Sequence, residues 1–383
     1  MAILALALWS PPAGAQGLDD AMRAEVDRLA HAQMRESGFP GLVVGIQTRE
    51  HGSYLQAYGV AARADGRAMA TGDRFRVGSV TKTFTGTVIL RLVQRGQLRL
   101  GDRLRRWFPD FPNAGRITVR MMLNHTSGIP DAPPSWFERW VDSRGRLVIT
   151  PAEMIRAASR QPPEFAPGTG YFYSNTDYTL LGQIAERVTG RPIRALYRRW
   201  ITRPLRMTDT AYRPNAPLPM PNARGYLIGG RREVDVTDWS FSWVNTAGGI
   251  SSTVPDLLRY APALATGRGL LSRAVQRRRL RDAVATGQSG MRYGLGIFRL
   301  PVEVAPGRFE PLVGHDGEVA GYNAIVLHSR AHDASLVVLG NTSPTLNQAP
   351  QYRDATLVVQ LAAEIFAALY APAPADRPAP PGR

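Results

Sequence analysis

The chain has 383 residues, 44% of them hydrophobic, a formal net charge of +16 and no cysteine. That length suits one large core or two modest ones, and the missing thiol excludes disulfides, thiol catalysis and cysteine-ligated zinc. The charge invites a nucleic-acid reading, but the basic residues are scattered and no nucleic-acid-binding motif accompanies them, so nucleic acid is set aside as a partner.

Residues 2–9 form a short apolar stretch, and Ala13-Gly14-Ala15 has the small-x-small form of a cleavage site. Together they predict a signal peptide ending near Ala15 and a periplasmic or secreted mature chain, although no Lys or Arg precedes the stretch. No apolar run reaches the roughly 18 residues a transmembrane helix needs. Leu18, Met22, Val26, Leu29 and Met34 recur at helical spacing, and Gly38 and Pro40 end that helix. Residues 42–46 read as a buried strand, and residues 54–60 as its hairpin partner after the turn at His51-Gly52. A helix is expected from Ser79 to about Arg95, with Gly96 free to close it. Helical stretches with many Pro and Gly breaks follow to about residue 240, the clearest being 176–188 before Gly190. The run Arg277-Arg278-Arg279-Leu280-Arg281 reads as a solvated helix face. Residues 322–328 and 334–340 are apolar strands joined by a five-residue loop, 354–370 is an amphipathic helix, and 371–383 is a Pro/Ala tail that cannot build a core. Strands at both ends with helices between predict an α/β fold of the α+β type. One lobe comes from about 18–76 and 245–370, a helical lobe from about 77–244, and the Ser79 helix starts at the seam.

Lys82 is the only lysine, the other 46 of the 47 basic residues being arginine. Arginine stays protonated at any workable pH, whereas a buried lysine can lose its proton and act as a base. Ser79 lies one helical turn upstream, giving S-x-x-K: a hydroxyl nucleophile and an amine base on one helix face. Burial that lowers the Lys82 pKa from about 10.4 toward 7–8 would fit it for that work. The helix N-terminus offers backbone N–H groups to an oxyanion. In Tyr173-Ser174-Asn175, a Tyr hydroxyl can relay a proton if an ammonium lowers its pKa, and an Asn amide can orient Lys82 and a substrate carbonyl. The same residues would also serve as a turn with Asn175 capping the next helix. In His315-Asp316-Gly317, glycine would allow substrate close to a strand edge, and the N–H after Gly317 could complete an oxyanion hole. The alternative there is a loop before a strand with one exposed His.

Taken together, these segments resemble the β-lactamase-related serine hydrolases: class C β-lactamases, D-alanyl-D-alanine carboxypeptidases of the penicillin-binding type, D-aminopeptidases and related esterases. The resemblance covers roughly residues 20–370. It includes Leu123-Asn124-His125-Thr126-Ser127-Gly128, Ala247-Gly248-Gly249-Ile250-Ser251-Ser252-Thr253 and Tyr293-Gly294-Leu295-Gly296. It implies a penicillin-binding/β-lactamase-like fold, an antiparallel sheet flanked by helices plus a helical lobe. It also implies Ser79 as acylated nucleophile, Lys82 as its activator and Tyr173 as general acid/base. Asn175, His315 and Gly317 would contact substrate, and the N–H groups of Ser79 and Glu318 would form the oxyanion hole. His125 belongs to a structural loop, and no metal or organic cofactor is implied.

Two departures bear on the substrate. Class C β-lactamases carry Lys-Thr-Gly at the third motif, where this chain has His315, so β-lactam turnover is disfavoured. Asp316 places a negative charge where Thr or Ser is usual, which disfavours a substrate carboxylate. The expectation is a serine hydrolase acting through an acyl-enzyme on an amide or ester. A D-amino-acid peptide of cell-wall type is the first substrate, with peptidoglycan as a candidate partner; a small-ester esterase or weak β-lactamase is the alternative. A non-catalytic cell-wall-binding protein on the same fold is the rival of another class.

Overall fold

The computed structural model describes residues 17–371 except 132, 134, 230, 231, 289 and 345–356. The predicted signal peptide and all but the first residue of the Pro/Ala tail therefore lie outside the described residues. The centre is an eight-stranded antiparallel sheet. Its strands in chain order are β1 Gly41–Gln47, β2 Ser53–Gly59, β3 Val284–Ala285, β4 Arg292–Tyr293, β5 Phe298–Ala305, β6 Arg308–Val319, β7 Tyr322–Ser329 and β8 Ala334–Gly340. They lie in the order β2-β1-β8-β7-β6-β5-β4-β3. The two ends of the chain meet where β1 pairs with β8, Val44 opposite Val338, as the strands predicted at each end require.

Alternation along these strands feeds two cores. Leu42, Val44, Ile46, Leu336 and Val338 pack under the terminal helices α1 Asp20–Ser37 and α6 Leu357–Tyr370, with Val26, Leu29, Leu361, Ile365 and Phe366. Val43, Val326, Val337 and Leu339 face the other way, into a larger core shared with α2 Thr81–Gln94, α3 Asn175–Thr189 and α4 Val254–Thr266. Gly45 is needed on that face, because a methyl there would run into Val254 and Leu258. The predicted 354–370 helix begins, among described residues, at Leu357.

The two longest unpredicted strands are β5 and β6. They form a long hairpin with Pro301 opposite Pro311, and prolines in both runs mask the strand pattern. Past Phe298, which pairs with Gly314, β5 no longer flanks β6, so residues 315–319 lie on a sheet edge. Beside that edge the chain turns from a short 3₁₀ segment, Gly78–Val80, directly into α2.

The helix α5 Arg273–Arg281 corrects the reading of its arginine run. Arg277, Arg278 and Arg281 are exposed, but Arg279 is fully buried. Its guanidinium donates to the carbonyls of Thr83, Leu295 and Gly296 and to Thr87 Oγ1, at 2.9–3.2 Å. It thereby ties α2 to the Tyr293–Ile297 segment. An arginine's fixed fork can satisfy several carbonyls at once, and its loss would leave them buried and unsatisfied. Arg279→Met should therefore lower unfolding free energy by about 2–4 kcal/mol in urea titrations. Arg277→Met should change it by about 0.5 kcal/mol or less. Equal effects from the two would contradict this packing role.

Candidate functional site

Three loops converge on the start of α2. Val77 N donates to Ile250 O at 3.0 Å, and Ile250 N to Thr81 Oγ1 at 3.1 Å, so the Ala247–Thr253 segment fixes the entry to the helix. The 123–128 loop holds the segment carrying Tyr173, with Gly168 N donating to Thr126 O at 2.8 Å and Phe172 N to His125 O at 3.0 Å. The edge of β6 closes the third side. A methyl on Gly78 would lie 2.8–2.9 Å from the Glu318 backbone, and one on Gly317 would lie 3.0 Å from Ser79 N. Both glycines are thus required for the two backbones to touch. This contact brings the main chains of Ser79 and Glu318, the two expected oxyanion donors, side by side.

Lys82 is fully buried, and its Nζ lies 3.0 Å from Ser79 Oγ, 2.6 Å from Asn175 Oδ1 and 3.2 Å from Ala247 O. Asn175 Oδ1 and Ala247 O can only accept, whereas a serine hydroxyl can donate or accept. An ammonium fills all three contacts; a neutral amine keeps the two fixed acceptors and turns its lone pair to the Ser79 proton. The cage therefore holds Lys82 in either protonation state and lets only the contact to Ser79 reverse. Burial pulls the Lys82 pKa down to about 7, against the opposing pull of Asp131, Asp316 and Asp177. The rings of Tyr173 and Tyr178 flank the Nζ at 4.5 and 5.7 Å.

Tyr173 is hydrogen-bonded to Ser79, and burial, with Asp316 adding to it, pushes its pKa well up rather than down. The expectation of an ammonium-lowered phenol is corrected: desolvation dominates over the lowering pull of the Ser79 hydrogen bond, and the neutral phenol is the resting form.

Asn175 is not the helix cap. Ser174 caps α3 by accepting from Asp177 N, leaving the Asn175 side chain free to face Lys82. Its amide is oriented by Asp131, whose Oδ2 accepts from Asn175 Nδ2 at 2.7 Å and whose Oδ1 accepts from Thr176 N at 3.2 Å. Sequence reading missed Asp131. It lies 44 residues from Asn175, and no local spacing links the two.

His315 lies within strand β6 and is fully buried, so the loop with an exposed His is excluded. Its Nδ1 is 2.6 Å from the Asp316 carbonyl oxygen, to which it can only donate, leaving Nε2 to accept from the Tyr293 hydroxyl at 3.0 Å. Burial lowers its pKa, which favours the neutral ring. Both ring nitrogens thus have protein partners, and His315 holds Tyr293 rather than presenting a bare nitrogen to the cleft. His125 has the structural placement expected. It is buried, accepts Ser174 N at Nδ1 and lies 3.2 Å from Asp177 Oδ2, while Ser127 Oγ donates to the other oxygen of Asp177 at 2.7 Å. Burial drives the Asp177 pKa well up and the His125 pKa well down, which favours the uncharged form of both. Among the described residues no group of three or more His, Cys, Asp or Glu is placed to hold a metal.

The chain is similar over much of its length to known proteins. A family model described as Beta-lactamase matches residues 26–361. The chain is 28% identical over 300 residues to penicillin-binding protein 4* of Bacillus subtilis (strain 168), an alignment spanning 75% of this chain and 65% of that protein. It is 32% identical over 203 residues to esterase EstB of Burkholderia gladioli, spanning 50% of this chain and 52% of the relative. These matches thus cover between about half and two thirds of the relatives' own lengths. The structure of D-amino acid amidase from Ochrobactrum anthropi SV3 complexed with L-phenylalanine amide superposes with a TM-score of 0.79 at 26% identity, covering 91% of this chain and 99% of that one.

Proposed function

This chain belongs to the Beta-lactamase family of serine hydrolases, and we propose that it hydrolyses an amide bond on a D-amino-acid residue through an acyl-enzyme on Ser79. The single observation that carries the reading is the Lys82 cage, an amine near its neutral point held 3.0 Å from the serine hydroxyl. In acylation, Ser79 Oγ bonds to the substrate carbonyl carbon as its proton passes to Lys82. The N–H groups of Ser79 and Glu318 hold the oxyanion, with Gly317 allowing the close approach. The C–N bond then breaks, and the leaving amine takes a proton relayed through the neutral Tyr173 hydroxyl. Water, giving up its proton by the same route, cleaves the acyl-serine ester and restores Ser79. Asn175 keeps Lys82 aligned, and His315, neutral and tied to Tyr293, positions the strand edge.

The similarity to a D-amino acid amidase supports the amide class. Cell-wall peptides of the D-alanyl-D-alanine type are the natural peptides to compare with such amides, and Asp316 disfavours the carboxylate they carry beside the scissile bond. The apolar segment at residues 2–9 and the similarity to a penicillin-binding protein support a periplasmic or secreted location. Among the described residues no helix is long and apolar enough to cross a membrane. Small esters are the second reading, favoured by the similarity to EstB. The test is kcat/KM for a short-chain ester, a D-amino-acid amide, a D-Ala-D-Ala peptide and a cephalosporin. The ester and the amide should exceed the cephalosporin, since His315 stands where a β-lactamase has Lys. Cephalosporin hydrolysis faster than every other substrate would overturn the reading.

A further inference from the structure

Every expected member of the third motif except one is occupied by the protein itself: His315 is tied to Tyr293, and Gly317 abuts Ser79. The exception is the Asp316 carboxylate. It is 27% exposed, and its nearest charged-type neighbour is the neutral His315, at 3.4 Å from Nδ1. No arginine among the described residues forms an ion pair with it, in a chain with 47 basic residues. Elsewhere Asp73, Asp209, Asp235, Asp238, Asp256 and Asp282 all pair with arginine. Asp316 thus stands at the reaction cleft as a partly exposed carboxylate whose charge no arginine ion pair offsets among the described residues.

Resting on the acyl-enzyme reading above, we propose that Asp316 forms a subsite for a protonated amine carried by the substrate within one residue of the scissile carbonyl. The position is one residue from Gly317, whose backbone touches Ser79. Its charge reaches the reacting groups, since Asp316 opposes the fall in the Lys82 pKa and adds to the rise at Tyr173. A fixed negative charge there attracts an ammonium and repels a carboxylate at the same point, so one residue sets both the preference and the exclusion. The favoured substrates are then aminoacyl amides with a free amine rather than peptides ending in a carboxylate beside the cleaved bond.

A matched series with one scissile bond tests this: D-alanine p-nitroanilide, its N-acetyl derivative and its N-succinyl derivative, which are cationic, neutral and anionic. For the wild type, kcat/KM should fall along that series by at least about tenfold from first to last. The spread should narrow on raising NaCl from about 0.02 to about 0.5 M, because the carboxylate is partly exposed. In Asp316→Asn the cationic-to-anionic ratio should collapse to within about threefold of unity. An unchanged ratio in the variant, or a wild-type preference for the anion, overturns the subsite while leaving the acyl-enzyme intact. The wild-type series and its salt dependence stand whether or not the variant folds. If no anilide turns over, protection of Ser79 from a fluorophosphonate by the same compounds reads the same order. Failure of Ser79 to take the fluorophosphonate overturns the acyl-enzyme reading, and the subsite with it.

Discussion

Lys82→Arg should lower kcat/KM by about 10²–10⁴-fold, nearly as far as Lys82→Ala. Charge is not what the position supplies, because in this chain arginine carries charge almost everywhere else. A guanidinium stays protonated and cannot take the Ser79 proton. It is also planar and larger than the ammonium that Ser79, Asn175 and Ala247 contact at 2.6–3.2 Å. The wild type should show an acidic limb in kcat/KM near pH 7. Activity rises as pH climbs through the Lys82 pKa of about 7, because the amine works as a base only when deprotonated. Neither variant should keep that limb. Substantial turnover by Lys82→Arg would make Lys82 an electrostatic post and remove it as the base.

Ser79→Ala should cost about 10⁴–10⁶-fold in kcat, and adding Lys82→Ala to it should cost little more. Without a hydroxyl at position 79, the amine has no proton to remove, so the two residues act as one unit and their effects do not add. Multiplicative losses in the double variant would mean that each residue works independently. The measurement is steady-state turnover of a D-amino-acid anilide by both single variants and the double variant, with folding of each confirmed by urea titration.

The sequence carried the nucleophile pair because S-x-x-K is local: two residues one turn apart share a helix face wherever that helix sits. The pairing of β1 with β8 was readable because both runs are apolar and free of proline. The β5–β6 hairpin was not, since Pro301 and Pro311 face each other within it. What surrounds the pair was out of reach for a different reason. Asp131 reaches Asn175 only through the tertiary fold, and Arg279 looks like its exposed neighbours until the Thr83 and Gly296 carbonyls surround it. The state of Tyr173 was out of reach because a nearby lysine is visible as a residue type, whereas the burial that raises the phenol pKa is not.

The central claim is that Ser79 is acylated, and peptide mapping after an acylating inhibitor tests it most directly. Cleavage after Arg76 and Lys82 releases Val77-Gly78-Ser79-Val80-Thr81-Lys82, whose only hydroxyls are Ser79 and Thr81. After treatment with a fluorophosphonate, fragmentation should place the added mass on Ser79, and Ser79→Ala should take no label. A stable adduct on any other residue, with Ser79 unmodified, would contradict the account.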